Sequence, residues 1–126
     1  MPPSQILILR HAEKPGDKDD DDLSPKGYRR AGALAAAIPE WLGGDPHHVF
    51  AAAPSKHSVR SVETVTPLGD SLSLAVDRRF AETDTAELAS ELARSSYADA
   101  RVVVAWHHER LDDLADALGV ARPPKW

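Results

Sequence analysis

Three runs of this sequence carry the residue types that grip anions and move protons: Arg10-His11-Ala12-Glu13, the lone Arg60, and His107-His108-Glu109. Arginine forks match the oxygens of a tetrahedral dianion bidentately, which lysine does not do. A neutral histidine can attack phosphorus and carry a phosphoryl group as a covalent intermediate. Two guanidinium groups and two imidazoles brought together would therefore suit phosphate chemistry. The plain alternative for the first run is an ordinary strand end with surface charges. Nearly a hundred residues separate the first run from the last, so only the fold can make them one site.

The elements around these runs are suited to that. Residues 6–9, Ile-Leu-Ile-Leu, read as a strand buried on both faces that delivers Arg10, His11 and Glu13 at its carboxyl end, where Pro15 stops it. Ser24 and Pro25 open a helix as N-cap and first residue, with Tyr28, Ala31, Leu34, Ala35 and Ile38 as its apolar stripe and Pro39, Gly43 and Gly44 ending it. Arg29 and Arg30 fall mostly off the stripe and should face solvent. Residues 49–53 form a second short buried strand, and residues 56–66 a helix with Arg60 one turn in, broken by Pro67 and Gly69. A third strand is expected over residues 72–76. Asp84 and Glu87 have the spacing of a capping box opening the next helix. Residues 101–106 form a strong strand leading directly to His107, and a last helix runs to Gly119. Alternating β and α units predict an α/β three-layer sandwich, a mostly parallel sheet with helices on both faces. In such a sheet the carboxyl ends of the strands share one edge, where ligands bind.

Composition narrows the function classes. At 126 residues the chain should form one domain, residues 1–126, with a single core. Cysteine is absent, which excludes disulfides, thiolate catalysis and thiolate metal sites. No positive n-region precedes residues 6–9 and no apolar run approaches a membrane span, so a reduced cytoplasm is the expected location and no membrane partner is expected. The net charge of −5 and the lack of a basic stripe argue against nucleic acid. Much of that charge lies in Asp17, Asp19, Asp20, Asp21 and Asp22, read as a solvated loop; the EF-hand pattern fails there, with Asp22 where glycine is needed and Tyr28 where glutamate is needed.

With these residues in view, the sequence resembles the histidine phosphatase superfamily, which includes phosphoglycerate mutases and acid phosphatases. Arg10-His11-Ala12-Glu13 is similar to its Arg-His-Gly signature, and Leu23-Ser24-Pro25-Lys26-Gly27 with Arg30-Ala31 to its Leu-Thr-x-x-Gly-x-x-x-Ala helix start. Ser55 through Arg60 to Thr64 resembles its Ser-x-x-x-x-Arg-x-x-x-Thr segment, and Trp106-His107-His108 the Trp-x-His form of its last strand. The resemblance spans nearly the whole chain in order. It implies a small, phosphoglycerate mutase-like fold and a metal-independent phosphatase acting on phosphomonoesters or phosphohistidine, with no cofactor and no metal. The partner would be a phosphorylated small molecule or a phosphoprotein.

The roles it implies are specific. His11 would be the nucleophile, Arg10 and Arg60 would hold the phosphoryl oxygens, and His108 would donate to the same oxygens, with His107 as the alternative. Expelling an alkoxide needs a general acid, which relatives supply from the region after the third strand. Glu82 is the candidate, with Asp84 and Glu13 behind it, Asp84 having a helix cap as its other reading. Small members that act on phosphohistidine can dispense with the acid, because imidazole leaves more easily. His47, His48 and His57 read as loop or helix-surface residues. A phosphate-binding or regulatory module without turnover, a mutase-type phosphotransferase, and a metal hydrolase using His11, Glu13, His107, His108 and Glu109 are the other readings. In the branch resembled, Pro-x-x-Trp, here Pro123 to Trp126, precedes a further strand; without it, an open sheet edge is expected.

Overall fold

The structure is a computed structural model that describes residues 5–10, 24–54, 59–107 and 110–119. Strand β4, Arg101–Trp106, lies inside a four-stranded sheet of order β1-β4-β2-β3, with β1 spanning Gln5–Arg10, β2 His48–Ala51 and β3 Val76–Asp77. Every pairing is parallel. Val102, Val103, Val104, Ala105 and Trp106 are fully buried, as a central parallel strand covered on both faces requires. Here the first expectation is corrected in degree. β1 packs on both faces, Ile6 and Ile8 on one and Leu7 and Leu9 on the other. It is only half-buried, however, and lies at the edge of the described strands, so the strand fully buried on both faces is β4. Among the described residues β1 has one neighbouring strand only, which is why the same aliphatic composition buries less. β3 closes the other end of the sheet and is only two residues long, later and shorter than the 72–76 expected.

Helix α1, Pro25–Leu42, begins as the sequence predicts: Ser24 Oγ accepts from the Gly27 amide at 3.0 Å, and Pro25 takes the first position. It does not end at Pro39. Ile38 and Leu42 bury their side chains around that proline, and the helix stops at Gly43 in the left-handed region, φ 75°. Helix α2, Arg60–Leu72, likewise passes through Pro67 and Gly69, with Val65 and Leu68 wholly buried. In both helices tertiary packing outweighs the roughly 3 kcal/mol that an interior proline costs. Gly69 serves close approach: a Cβ there would lie 2.8 Å from the Leu74 carbonyl oxygen, where the chain turns into β3.

Helices α1 and α2 cover one face of the sheet, over Val49, Ala51, Val103 and Ala105. Helices α3, Thr85–Leu92, and α4, Leu111–Leu118, cover the other, over Phe50, Val102, Val104 and Trp106. The observed architecture is thus the expected parallel α/β sandwich. Each large side chain so buried contributes roughly 1.5–3 kcal/mol relative to exposure. Tyr28 departs from its expected place in the apolar stripe. It is 46% exposed, and its hydroxyl donates to Glu63 of α2. Arg29 and Arg30 face solvent, as expected. No helix among the described residues is long and apolar enough to cross a membrane.

Candidate active site

The layering decides where the strand ends become useful. β1 leads into a helix on one face of the sheet and β4 into a helix on the other, and β4 is a neighbour of β1. β2, on the other side of β4, leads to α2 on the first face again. The chain therefore parts in opposite directions on both sides of the β4 tip, the arrangement that opens a crevice at the carboxyl ends of a parallel sheet. Register places Arg10, the last residue of β1, opposite Trp106, the last of β4. Arg60 is the first residue of α2, whose N-cap residue Val59 offers no side-chain oxygen to the amides of the first turn. Such a helix start favours an anion.

The loop between β3 and α3 reaches the same edge and is pinned at several points. The Phe80 carbonyl accepts from the Ala53 amide at 2.8 Å, just beyond β2. The Trp106 indole N–H donates to the Glu82 carbonyl at 2.9 Å. The Glu82 carboxylate then meets His107, with Nδ1 3.3 Å from Oε2 and the two side chains 34% and 14% exposed, respectively. Glu82 is thus tied through both its backbone and its side chain to consecutive residues at the tip of the central strand. Asp84 holds the N-cap position of α3, but its side chain does not cap the helix. It accepts instead from the Ala81 amide at 3.0 Å, while its own amide donates to the Ala81 carbonyl at 2.9 Å. The expected capping box is replaced by a reverse turn that carries Glu82, because the short carboxylate finds a nearer amide on its N-terminal side.

Of the residues singled out from the sequence, the structure brings Arg10, Arg60, Glu82 and His107 to one edge of the sheet. His11, Glu13, Ser55, His57, His108 and Glu109 lie outside the described residues, as do the aspartates of residues 17–22 and Pro123 to Trp126. His47 and His48 stand away from this edge, and each serves the fold. His47 Nδ1 accepts from the Arg101 amide at 2.9 Å, and the His48 ring meets Tyr97 edge-on at 4.7 Å. Two features escaped sequence reading. Trp106 anchors Glu82, for which the only signal was that a fully buried indole N–H needs an acceptor. Ser61, beside Arg60, is 1% exposed, and its hydroxyl has no hydrogen-bond partner among the described residues.

A second charged cluster lies at the β3 edge. Arg79 bridges Asp77 at 2.8 Å and Glu91 at 3.1 Å, and Glu91 also accepts from Arg94 at 3.0 Å and from the Tyr97 hydroxyl at 2.6 Å. Led by the Tyr97 hydrogen bond and helped by the two arginines, these contacts hold the Glu91 carboxyl down to about 2. Burial, then the Glu91 carboxylate, pushes the Tyr97 hydroxyl up. A cavity of about 480 Å³ runs beside this edge, lined by His48, Phe50, Val76, Asp77 and Arg79 among others, and takes in none of the four residues at the β4 tip.

No family model matches the sequence, and no curated protein does. Solved structures do match. One, described as the "putative phosphohistidine phosphatase SixA" of Agrobacterium tumefaciens, aligns with a TM-score of 0.60 at 19% identity, over 98% of this chain and 87% of its own. Another, described in the same words for Nakamurella multipartitia, aligns with a TM-score of 0.56 at 18% identity, over 87% of this chain and 62% of its own. What is shared is the fold. It is the fold that the sequence resemblance implied, reached independently of the motifs.

Proposed function

We propose that this chain is a metal-independent phosphohydrolase of the histidine phosphatase type, working through a phosphohistidine formed on His11. The observation that carries the reading is the convergence of Arg10, Arg60 and the Glu82–His107 pair at the one sheet edge next to which His11 follows β1 in the sequence. The similarity in fold to structures described as phosphohistidine phosphatases supports it. In this reading Arg10 and Arg60 grip the phosphoryl oxygens and stabilise the charge of the transition state. His108 donates to the same oxygens. His11 attacks phosphorus, and Glu82 protonates the leaving oxygen when the substrate is a phosphomonoester. With phosphohistidine as substrate the leaving imidazole needs less help, and the same pocket serves both.

Hydrolysis of nitrophenyl phosphate in the presence of a chelator tests the proposal, comparing wild type with His11→Ala. An aryl leaving group needs little protonation, so the assay does not depend on Glu82. Turnover that survives the chelator and vanishes in the variant is expected. Inorganic phosphate binding with no turnover in either protein would replace the enzyme with a binding module. Turnover unaffected by the substitution would mean that another group is the nucleophile.

A further inference from the structure

We infer that His107 is the positioning residue of the general acid, fixing which oxygen of Glu82 faces the leaving group. The inference rests on the phosphatase reading above and adds to it a role for a residue of this chain. Its ground is the double attachment of Glu82 to the tip of β4: Trp106 Nε1 holds the Glu82 carbonyl at 2.9 Å, and His107 Nδ1 stands 3.3 Å from Oε2. Trp106 is fully buried within the central strand, so its indole is a fixed reference point for the loop. The Ala81–Asp84 turn sets the backbone on either side of Glu82. The carboxyl group of a glutamate swings on three rotatable bonds. A carbonyl anchor alone leaves it free, and a second anchor on one oxygen selects an orientation. With His107 Nδ1 beside Oε2, Oε1 is the oxygen left to carry the proton to be delivered.

In the first chemical step the His11 nitrogen lone pair forms the N–P bond as the P–O bond to the leaving group breaks, and the leaving oxygen takes the proton of Glu82 Oε1. Glu82 remains as a carboxylate held at Oε2 by His107. Water next attacks phosphorus and returns one proton to Oε1, the P–N bond breaks, and its electron pair goes back to His11 as phosphate departs. His107 touches neither the substrate nor the phosphoryl group in either step. General acids contribute roughly 10²–10⁴-fold, and that contribution depends on their orientation.

The test is the dependence on leaving group. His107→Ala should lower kcat for glycerol phosphate by about 10- to 100-fold and for nitrophenyl phosphate by only a few fold, because the aryl oxide leaves without a proton. His107→Asn, whose side-chain amide can occupy the place of Nδ1–H, should recover part of the loss. The double variant with Glu82→Gln should be no worse on glycerol phosphate than Glu82→Gln alone, since both changes remove the same function. Vanadate binding by each variant reports an intact pocket. Equal losses on both substrates would overturn the inference, assigning His107 to the phosphoryl group or to the fold, as would no loss on either or multiplicative losses in the double variant. Wild-type protein that turns over neither phosphate would remove the phosphatase reading itself, and the inference with it.

Discussion

The two charged clusters flanking helix α3 contain similar residues and are built in opposite ways. At the β3 edge, Asp77, Arg79, Glu91, Arg94 and Tyr97 bond chiefly to one another. Arg79 gives its donors to two carboxylates, and Glu91 spreads its oxygens over three donors. Nothing in that arrangement awaits a ligand. At the carboxyl edge, the groups are fastened to the scaffold. Glu82 is held by its backbone to Trp106, Arg10 projects exposed from a strand end, and Arg60 starts a helix that lacks a side-chain cap. Charge neutralised within a cluster stabilises a fold, whereas charge fastened to the scaffold at the strand tips is what the proposed chemistry would use. The contrast is a better guide to function than the mere presence of charged residues.

Three substitutions bear on that contrast. The largest expected effect is on chemistry: Arg60→Ala should lower kcat/KM for nitrophenyl phosphate by about 10²–10³-fold, the usual cost of one preorganised donor to a transition-state oxyanion, with thermal stability nearly unchanged. A melting point that falls while kcat/KM holds would move Arg60 into the structural class. Next, Glu91→Gln should cost about 1–3 kcal/mol of stability at neutral pH, as charged hydrogen bonds do, with phosphatase activity retained. That difference should depend on pH with a definite sign. The Glu91 carboxyl is held below its ordinary value of 4.5, at about 2. The stability it supplies is therefore complete above about 4.5 and is lost as pH falls toward 2. Urea unfolding of wild type and variant at several pH values should show the two curves converging in acid; a difference that persists at pH 2 would mean that the charge of Glu91 is not what matters. The smallest effect is expected at Ser61. Because its buried hydroxyl has no partner among the described residues, Ser61→Ala should stabilise the fold by about 1 kcal/mol by removing an unpaired polar group. A loss of stability instead would show that the hydroxyl has a partner.

Much of this fold could be read along the chain. Ser24, Pro25, Gly43 and Gly119 mark helix ends by local chemistry, and Val102, Val103 and Val104 mark a strand by their branching. Local rules failed where tertiary packing opposed them. Pro39 and Pro67 sit inside helices because the buried side chains around them hold the helix together. Asp84 gave up its cap for a turn, and β1 proved an edge strand because burial depends on neighbours that a sequence does not order.

The same division holds for the site. Residue types and their order pointed to Arg10, Arg60 and the histidines after the last strand, since each chemistry needs particular side chains and strand ends deliver them to one edge. An acidic residue after the third strand was implied only by the family resemblance. Which acid and which histidine meet was decided only in three dimensions. His107 and Glu82 are 25 positions apart in the chain and 3.3 Å apart in space. The strand order β1-β4-β2 sets the tip of β4 between Arg10 and the start of α2, and the indole of Trp106 draws the Glu82 loop onto that tip. Sequence determines which groups are available; strand order and one part-buried hydrogen bond determine which of them meet, because both are products of packing between segments distant along the chain.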